Sequence, residues 1–283
     1  MNYEQQLDQL IKSALKEDIG EGDYSTLCCI APDSKGKAIL KVKENGILAG
    51  IETAKKIFTS VQPDIMFTSC NKDGEAIVIG DVAFKVEGNI PAILSCERLV
   101  LNIMQRMSGI ATLTRQYVEK IKDFHAQILD TRKTTPNFRL LEKEAVRIGG
   151  GTNHRFGLYD MIMLKDNHID YCGGIENAII KARDYVTMNK KELKIEIETR
   201  NLEDVKTVMK VGKVDRIMLD NFSVEQLSEA TKIINGNYET EASGGINLEN
   251  IESYAATGVD YISCGAIIHH AISLDLSLKA ALT

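Results

Sequence analysis

Residues 130–168 read DTRKTTPNFRLLEKEAVRIGGGTNHRFGLYDMIMLKDNH, and the order of features in that stretch decides the fold. Ile128 and Leu129, just before it, are the apolar end of a strand. Thr131, Arg132 and Lys133 follow where the chain leaves that strand. Thr134 or Thr135 is placed to cap a helix, and Pro136 suits its first turn, where a missing N–H costs nothing. Leu141, Ala145 and Ile148 recur at helical spacing, and Gly149, Gly150 and Gly151 stop the helix. His154 and Arg155 fall in the loop beyond. Residues 161–164 (MIML) form a short apolar run suited to a fully buried strand, and Lys165 closes it.

The chemistry of that layout is anion binding. Arg132, Lys133, Arg155 and Lys165 all fall at strand ends or in the loops after them. Arg offers a planar fork for a carboxylate or phosphate, and Lys a point charge. Any one of them alone reads as an exposed surface charge. Four together would repel one another unless an anion came between them, and strand ends are where α/β folds carry function.

Outward from this stretch, strands and helices alternate. The pattern predicts strands at 127–131, 160–165, 193–199, 215–220, 238–242 and 259–264, with helices at about 138–148, 175–187, 202–211, 223–234 and 247–257. Such alternation predicts a parallel sheet with right-handed crossovers. The strand ends carry, in order, Arg132-Lys133, Lys165, Glu198, Asp220, Ser243-Gly244-Gly245 and Ser263-Cys264-Gly265. Polar or glycine-rich groups at every such end predict an α/β barrel, incomplete because it has fewer than eight strands. A flat doubly wound sheet is the runner-up. It would not bring all six ends to one point. Gly-rich turns on the last two strands suit a phosphate. Glu198 and Asp220 suit sugar hydroxyls or Mg2+. His269 and His270 read as structural.

The N-terminal third reads as a separate α+β domain, sandwich-like and antiparallel. Leu7, Leu10, Ile11, Ala14 and Leu15 give an amphipathic first helix. Strands are expected at 37–48, 64–70 and 75–87, with a short helix at 53–58. A helix over 91–107 carries Val100, Ile103, Met104 and Met107 on one face and Arg98, Asn102, Gln105 and Arg106 on another. Ser108-Gly109 is expected to break it. The expected domains are therefore 1–108, a catalytic barrel over 109–267, and a C-terminal helix over 268–283 packing back on the first domain.

Composition narrows the partners. The chain has 283 residues, and 34 Lys+Arg against 40 Asp+Glu leave a net charge of −6. A local basic cluster in an acidic chain argues for a small anionic ligand and against nucleic acid. No apolar run is long enough for a membrane span. Six cysteines without metal spacing read as reduced thiols, and no signal peptide is apparent, so a cytoplasmic enzyme is expected.

The 131–168 motif, ERLVLNIMQRMSGIAT at 97–112 and EASGGI at 241–246 closely resemble the quinolinate phosphoribosyltransferase family, over essentially the whole chain from EDIGEGDYST at 17–26 onward. The resemblance implies transfer from phosphoribosyl pyrophosphate to quinolinate with loss of CO2, in NAD biosynthesis. It also implies Mg2+, no organic cofactor, and a homodimer. It assigns Arg132, His154 and Arg155 to the two quinolinate carboxylates and Arg98 to a site in the neighbouring subunit. Lys133 and Lys165 resemble contacts to pyrophosphate and substrate, and Thr131 stands beside them in the substrate-binding turn. Glu198 and Asp220 match the ribose and Mg2+ positions; with the two lysines they form the expected catalytic set. Ser243, Gly244, Gly245, Ser263 and Gly265 match a cradle for the 5-phosphate, with Cys264 in a variable place. A same-fold relative using another acceptor, and a non-catalytic phosphate-metabolite sensor, are the alternatives.

Overall fold

The structure is a computed structural model and describes residues 2–281. It divides into two compact units. The first comprises residues up to Arg115, Thr134–Gly150 and the segment from Ile267 onward; the second comprises Gln116–Lys133 and Gly151–Ala266.

In chain order the first part contains α1 (Tyr3–Ile19), α2 (Tyr24–Cys29), β1 (Lys35–Val42), β2 (Gly46–Ile47), α3 (Ile51–Val61), β3 (Met66–Ser69), β4 (Ala76–Ile77), β5 (Val82–Asn89) and α4 (Ile90–Lys120). Asn2 and Gln5 form a capping box at the start of α1. Ala38, Leu40 and Val42 alternate with more exposed neighbours along β1, as a strand with one buried face requires. With the C-terminal strand β12 (Leu276–Ala280), the sheet order is β12-β1-β5-β3, all antiparallel. Phe58 of α3 packs edge-on against Phe84 of β5, with Phe67 of β3 beside it at 4.6 Å from Phe84.

The remaining elements are β6 (Gln127–Leu129), α5 (Arg139–Gly149), β7 (Ile162–Leu164), α6 (Asp166–Cys172), α7 (Ile175–Met188), β8 (Ile195–Thr199), α8 (Leu202–Val211), β9 (Arg216–Asp220), α9 (Val224–Ile234), β10 (Glu239–Ser243), α10 (Ile251–Ala255), β11 (Tyr261–Ser263), α11 (Ala266–His269) and β12 (Leu276–Ala280). The second sheet runs β6-β11-β10-β9-β8-β7, entirely parallel. From β7 to β11 the strands follow sequence order, and β6 then pairs with the last of them. A sheet wound in one direction, with its first strand bonded to its last, is a barrel left open at one seam. The seam falls between β6 and β7. Thr152 partly occupies it, donating its amide to Ile128 O at 2.8 Å and accepting from Asp130 N at 3.1 Å. The helix between β6 and β7, α5, belongs to the first unit.

Four expectations need correction. Ser108-Gly109 does not break a helix: α4 runs unbroken from Ile90 to Lys120. Gly109 is a close-approach residue, because a Cβ there would overlap Ile272 O and stand 2.9 Å from its carbonyl carbon. Thr134 and Thr135 do not cap α5, which starts at Arg139 after Phe138 with no side-chain cap. Thr135 instead donates its amide (2.8 Å) and hydroxyl (3.0 Å) to the buried Glu142. Glu142 also takes Arg106 Nε at 3.0 Å, and Arg106 donates on to Ile268 O and Ala271 O, so Arg106 is structural. The C-terminal segment is not a helix along its length: within 268–281, α11 ends at His269 and the rest carries β12, paired with β1 through Leu40↔Leu278 and Val42↔Leu276. It therefore joins the first unit as an edge strand. Helices α2 and α6 had no counterpart in the expected pattern.

Gly109→Ala sets two effects against each other. Helix propensity favours Ala by about 1 kcal/mol. Forcing a Cβ into backbone contact costs about 1–3 kcal/mol or more. The thermal midpoint should fall; a rise would show that the Ile272 backbone is free to yield.

Candidate active site

The charged side chains of the second unit occupy two layers of the parallel sheet. Alternation sets them. Glu196 and Glu198 share one face of β8, Arg216 and Asp220 one face of β9, and Glu239, Glu241 and Ser243 one face of β10. In register, Glu196 lies beside Arg216, Glu198 beside Met218, and Ser243 beside Asp220. Lys165, Glu198, Asp220 and Ser243 stand at the strand ends, and Glu196, Arg216 and Glu241 meet deeper through their side chains, although Glu241 pairs with Met218 in register.

At the strand ends, Lys165 is exposed and its Nζ stands 3.3 Å from Oε2 of the buried Glu198. Asp166 N approaches the other carboxylate oxygen at 3.4 Å. Asp220 is half-buried and accepts from Asn221 Nδ2 at 2.6 Å; among the described residues it makes no ion pair. Two carboxylates on paired strands, one without a cation, are the hard oxygen donors that Mg2+ prefers. The turn after β6 is basic. Thr131 Oγ1 accepts Lys133 N at 3.1 Å, and Lys133 itself is exposed. Arg132 is half-buried, and its Nε is fully enclosed without a hydrogen-bond partner. Arg155 is half-buried, with Nη1 at 3.3 Å from Met161 O. Burial, followed by the charge of Arg132, holds the Arg155 guanidinium below its ordinary pKa. Two guanidinium groups are thus held close enough to repel.

The loop bearing His154 and Arg155 is fixed from below. Buried Asp130 accepts His154 N at 2.8 Å and Asn153 Nδ2 at 2.7 Å. His154 Nε2 stands 3.0 Å from Glu196 Oε2 and 3.1 Å from Glu241 Oε2. Arg155 N donates to His154 Nδ1 at 2.6 Å, which puts the ring proton of the neutral form on Nε2. Burial works to lower the imidazole's pKa, but the two carboxylates outweigh it and carry it to about 9. Taking a second proton at Nδ1 would break the Arg155 hydrogen bond. The geometry therefore favours Nε2–H, with the proton that the carboxylates attract shared towards Glu196. Burial and the charge of Glu241 push Glu196 itself up to about 7. Burial also works to raise Glu241, but its contacts with His154 hold it below the ordinary value.

The residues expected to form a phosphate cradle divide. Gly244 and Gly245 both have positive φ, +100° and +63°. Gly265 follows β11 half-buried. Ser263 is buried, with its hydroxyl 3.4 Å from Ala242 O and a hydrogen bond to Glu241. The Cys264 thiol is buried and pushed up to about 12 by that burial, and its amide donates to Leu129 O at 3.0 Å. Neither the thiol nor the amide of Cys264 is turned towards a ligand. Arg98 belongs to the first unit and is exposed on α4.

Sequence reasoning missed Asp130, Asn153, Glu196, Arg216 and Glu241. The signal was there: EIE at 196–198 and ETE at 239–241 put paired acids into strands otherwise read as buried. A carboxylate in such a place needs partners.

An open parallel α/β barrel, with clustered cations, a carboxylate pair and a glycine turn at its strand ends, defines an enzyme class handling phosphorylated and carboxylated anions. Sequence comparison then specifies it. The quinolinate phosphoribosyl transferase N-terminal domain profile matches residues 23–108 and the C-terminal domain profile matches 110–279. The chain belongs to the quinolinate phosphoribosyltransferase family. It is 44% identical over 288 aligned positions to the chloroplastic nicotinate-nucleotide pyrophosphorylase (carboxylating) of Arabidopsis thaliana, covering 96% of this chain and 82% of that protein. The probable enzyme of the same name from Synechocystis is 41% identical, with 96% and 92% covered. The crystal structure of NadC from Streptococcus pyogenes superposes with a TM-score of 0.91 at 41% identity, covering 98% of this chain and 97% of that one. Among the described residues no helix is long and apolar enough to cross a membrane.

Gly244 also carries a packing constraint. A Cβ there would overlap the Asn221 side chain and stand 3.0 Å from its backbone N. Asn221 in turn holds Asp220. Gly244→Val should therefore weaken a phosphorylated sugar far more than a pyridine dicarboxylate, by about tenfold or more for a lost charge-assisted hydrogen bond. Separate titrations with each ligand check this; equal losses, with circular dichroism unchanged, would contradict it.

Proposed function

We propose that this chain transfers a phosphoribosyl group from phosphoribosyl pyrophosphate to quinolinate, with decarboxylation to nicotinate mononucleotide. The observation that carries the reading is the Arg132–Arg155 pair: one guanidinium nitrogen is buried without a partner, and the other group is depressed by burial and then by its neighbour's charge. A dicarboxylate relieves both. Arg132 and Arg155 receive the two carboxylates and so aim the pyridine nitrogen at the ribose C1; His154, expected beside them, has both ring nitrogens engaged and acts by holding the Arg155 amide. Attack there forms the N–C1 bond as the bond to pyrophosphate breaks. Positive charge builds on the ribose during that step. Glu198 and Asp220 stabilise it, while Lys133 and Lys165 neutralise the departing pyrophosphate. Gly244, Gly245 and Gly265 approach the 5-phosphate through their backbone. The glycosylated pyridine nitrogen is cationic. It holds the electron pair left when the adjacent carboxylate departs as CO2, and a proton then takes that carbon. No organic cofactor is needed. Glu198 and Asp220 would hold Mg2+, which supplies charge neutralisation on the pyrophosphate.

Incubation with both substrates and Mg2+ should yield nicotinate mononucleotide, pyrophosphate and CO2 in equal amounts. Binding of both without turnover would contradict the reading. Arg155→Ala should weaken quinolinate about ten- to a thousandfold while leaving the phosphoribosyl donor nearly unaffected. Unchanged quinolinate affinity would remove Arg155 from the acceptor site.

We further propose a homodimer with shared sites, in which Arg98 completes the partner's site. Its support is the exposure of Arg98 on a helix whose Val100, Ile103, Met104 and Met107 are buried, and its match to the family motif. Mixing Arg98→Ala subunits with Lys165→Ala subunits, each inactive alone, should restore about a quarter of wild-type activity, because one site of each mixed dimer has neither defect. No recovery in a sample shown to contain mixed dimers would contradict the sharing.

A further inference from the structure

Beneath the strand-end layer lies a charge cluster that the chemistry above does not use. Glu196 and Glu241 are both fully buried, on β8 and β10. Arg216, on the strand between them, stands 3.2 Å from Glu241 Oε2 and 4.0 Å from Glu196 Oε2. Its other nitrogens reach Glu239 Oε2 at 3.0 and 3.2 Å, and its guanidinium lies 4.1 Å over the Tyr261 ring. The same two carboxylate oxygens that face Arg216 also face His154 Nε2.

His154, Glu196 and Glu241 could be read as a metal site, since their donor atoms lie within 4.8 Å of one another. The guanidinium argues against it. A divalent ion between those oxygens would sit against the fixed positive charge of Arg216 and the Nε2 proton of His154.

What the cluster does is hold a ring. Nε2 is set between two carboxylates, and Nδ1 takes the Arg155 amide. The imidazole therefore cannot rotate without losing one contact or the other, and its orientation fixes the backbone from which Arg155 springs. We propose that Glu241 and Glu196, backed by Arg216, are positioning residues for the reaction: they fix His154, and through it Arg155, in the geometry that receives the acceptor's carboxylates. This rests on the reading of Arg155 as the acceptor's binder, with His154 acting through it. A buried ion cluster contributes little net stability compared with apolar packing, so its worth here lies in geometry. The carboxylates do not touch substrate; they act through the ring.

The test is steady-state kinetics on Glu241→Gln, Glu196→Gln and His154→Ala, varying quinolinate and phosphoribosyl pyrophosphate separately. Glu241→Gln keeps the shape but loses a charged partner, and should raise KM for quinolinate about tenfold or more. Glu196→Gln leaves Arg216 both Glu239 and Glu241, so it serves if the first variant folds poorly. Its carbonyl still accepts from Nε2, and a selective rise of about threefold is expected. KM for the donor should stay within about twofold in both, a split that general loosening of the barrel would not produce. Nitrogen-15 NMR of the histidines in the wild-type protein should show Nε2 protonated and Nδ1 as acceptor. If His154→Ala raises the quinolinate KM and neither glutamine variant does, the positioning role is overturned and the acceptor site stands. Parallel rises in both KM values in the glutamine variants also overturn it. If His154→Ala leaves the quinolinate KM unchanged, the assignment of His154 fails and the positioning role fails with it.

Discussion

Like charges gathered at one place need opposite charge near them, and that requirement organises this molecule. Arg132 and Arg155 stand close enough for one to depress the other. Lys165 shares the same strand ends. Glu198 of β8 faces Lys165, and Glu196, two residues before it, bears on Arg155, while Glu239 and Glu241 on β10 answer Arg216. Only a parallel barrel with strict inward alternation puts both layers beneath one set of loops. Sheet order follows from the same demand. Pairing β6 to β11 brings the Asp130–Lys133 turn next to the Ser263–Gly265 turn.

The compensation is geometric more than energetic. A half-exposed pair such as Lys165–Glu198 is worth little, because the lysine side chain is 48% in solvent even though the carboxylate is buried. Buried ones roughly balance their own desolvation. What they secure is direction. Asp130 fixes the amides of the 153–155 loop from one side, and the Glu196–Glu241 pair fixes its imidazole from the other. The guanidinium of Arg155 then has few orientations left, which lowers the entropy lost when an anion arrives.

Much of this was legible because its causes are local. Apolar runs of strand length, helical spacing and glycine stops gave the parallel sheet, its six strands and the polar groups at their ends. What escaped was set by tertiary contact. Gly109 reads as a helix breaker, yet it lies inside α4 because the Ile272 backbone needs its missing side chain. Thr134 and Thr135 read as caps, yet Glu142 takes the second of them. The C-terminal strand was readable: Leu274, Leu276 and Leu278 alternate at a period of two and are all buried. The buried acids of β8 and β10 were visible as letters, but their partners, His154 and Arg216, come from distant segments that only the fold unites.

The central claim is that the paired guanidinium groups are built for two carboxylates at once. Calorimetric titration of the protein with quinolinate and with nicotinate, its monocarboxylate counterpart, tests it directly. The account predicts that quinolinate binds at least about tenfold more tightly, the worth of one further charge-assisted contact. Equal affinities would contradict it.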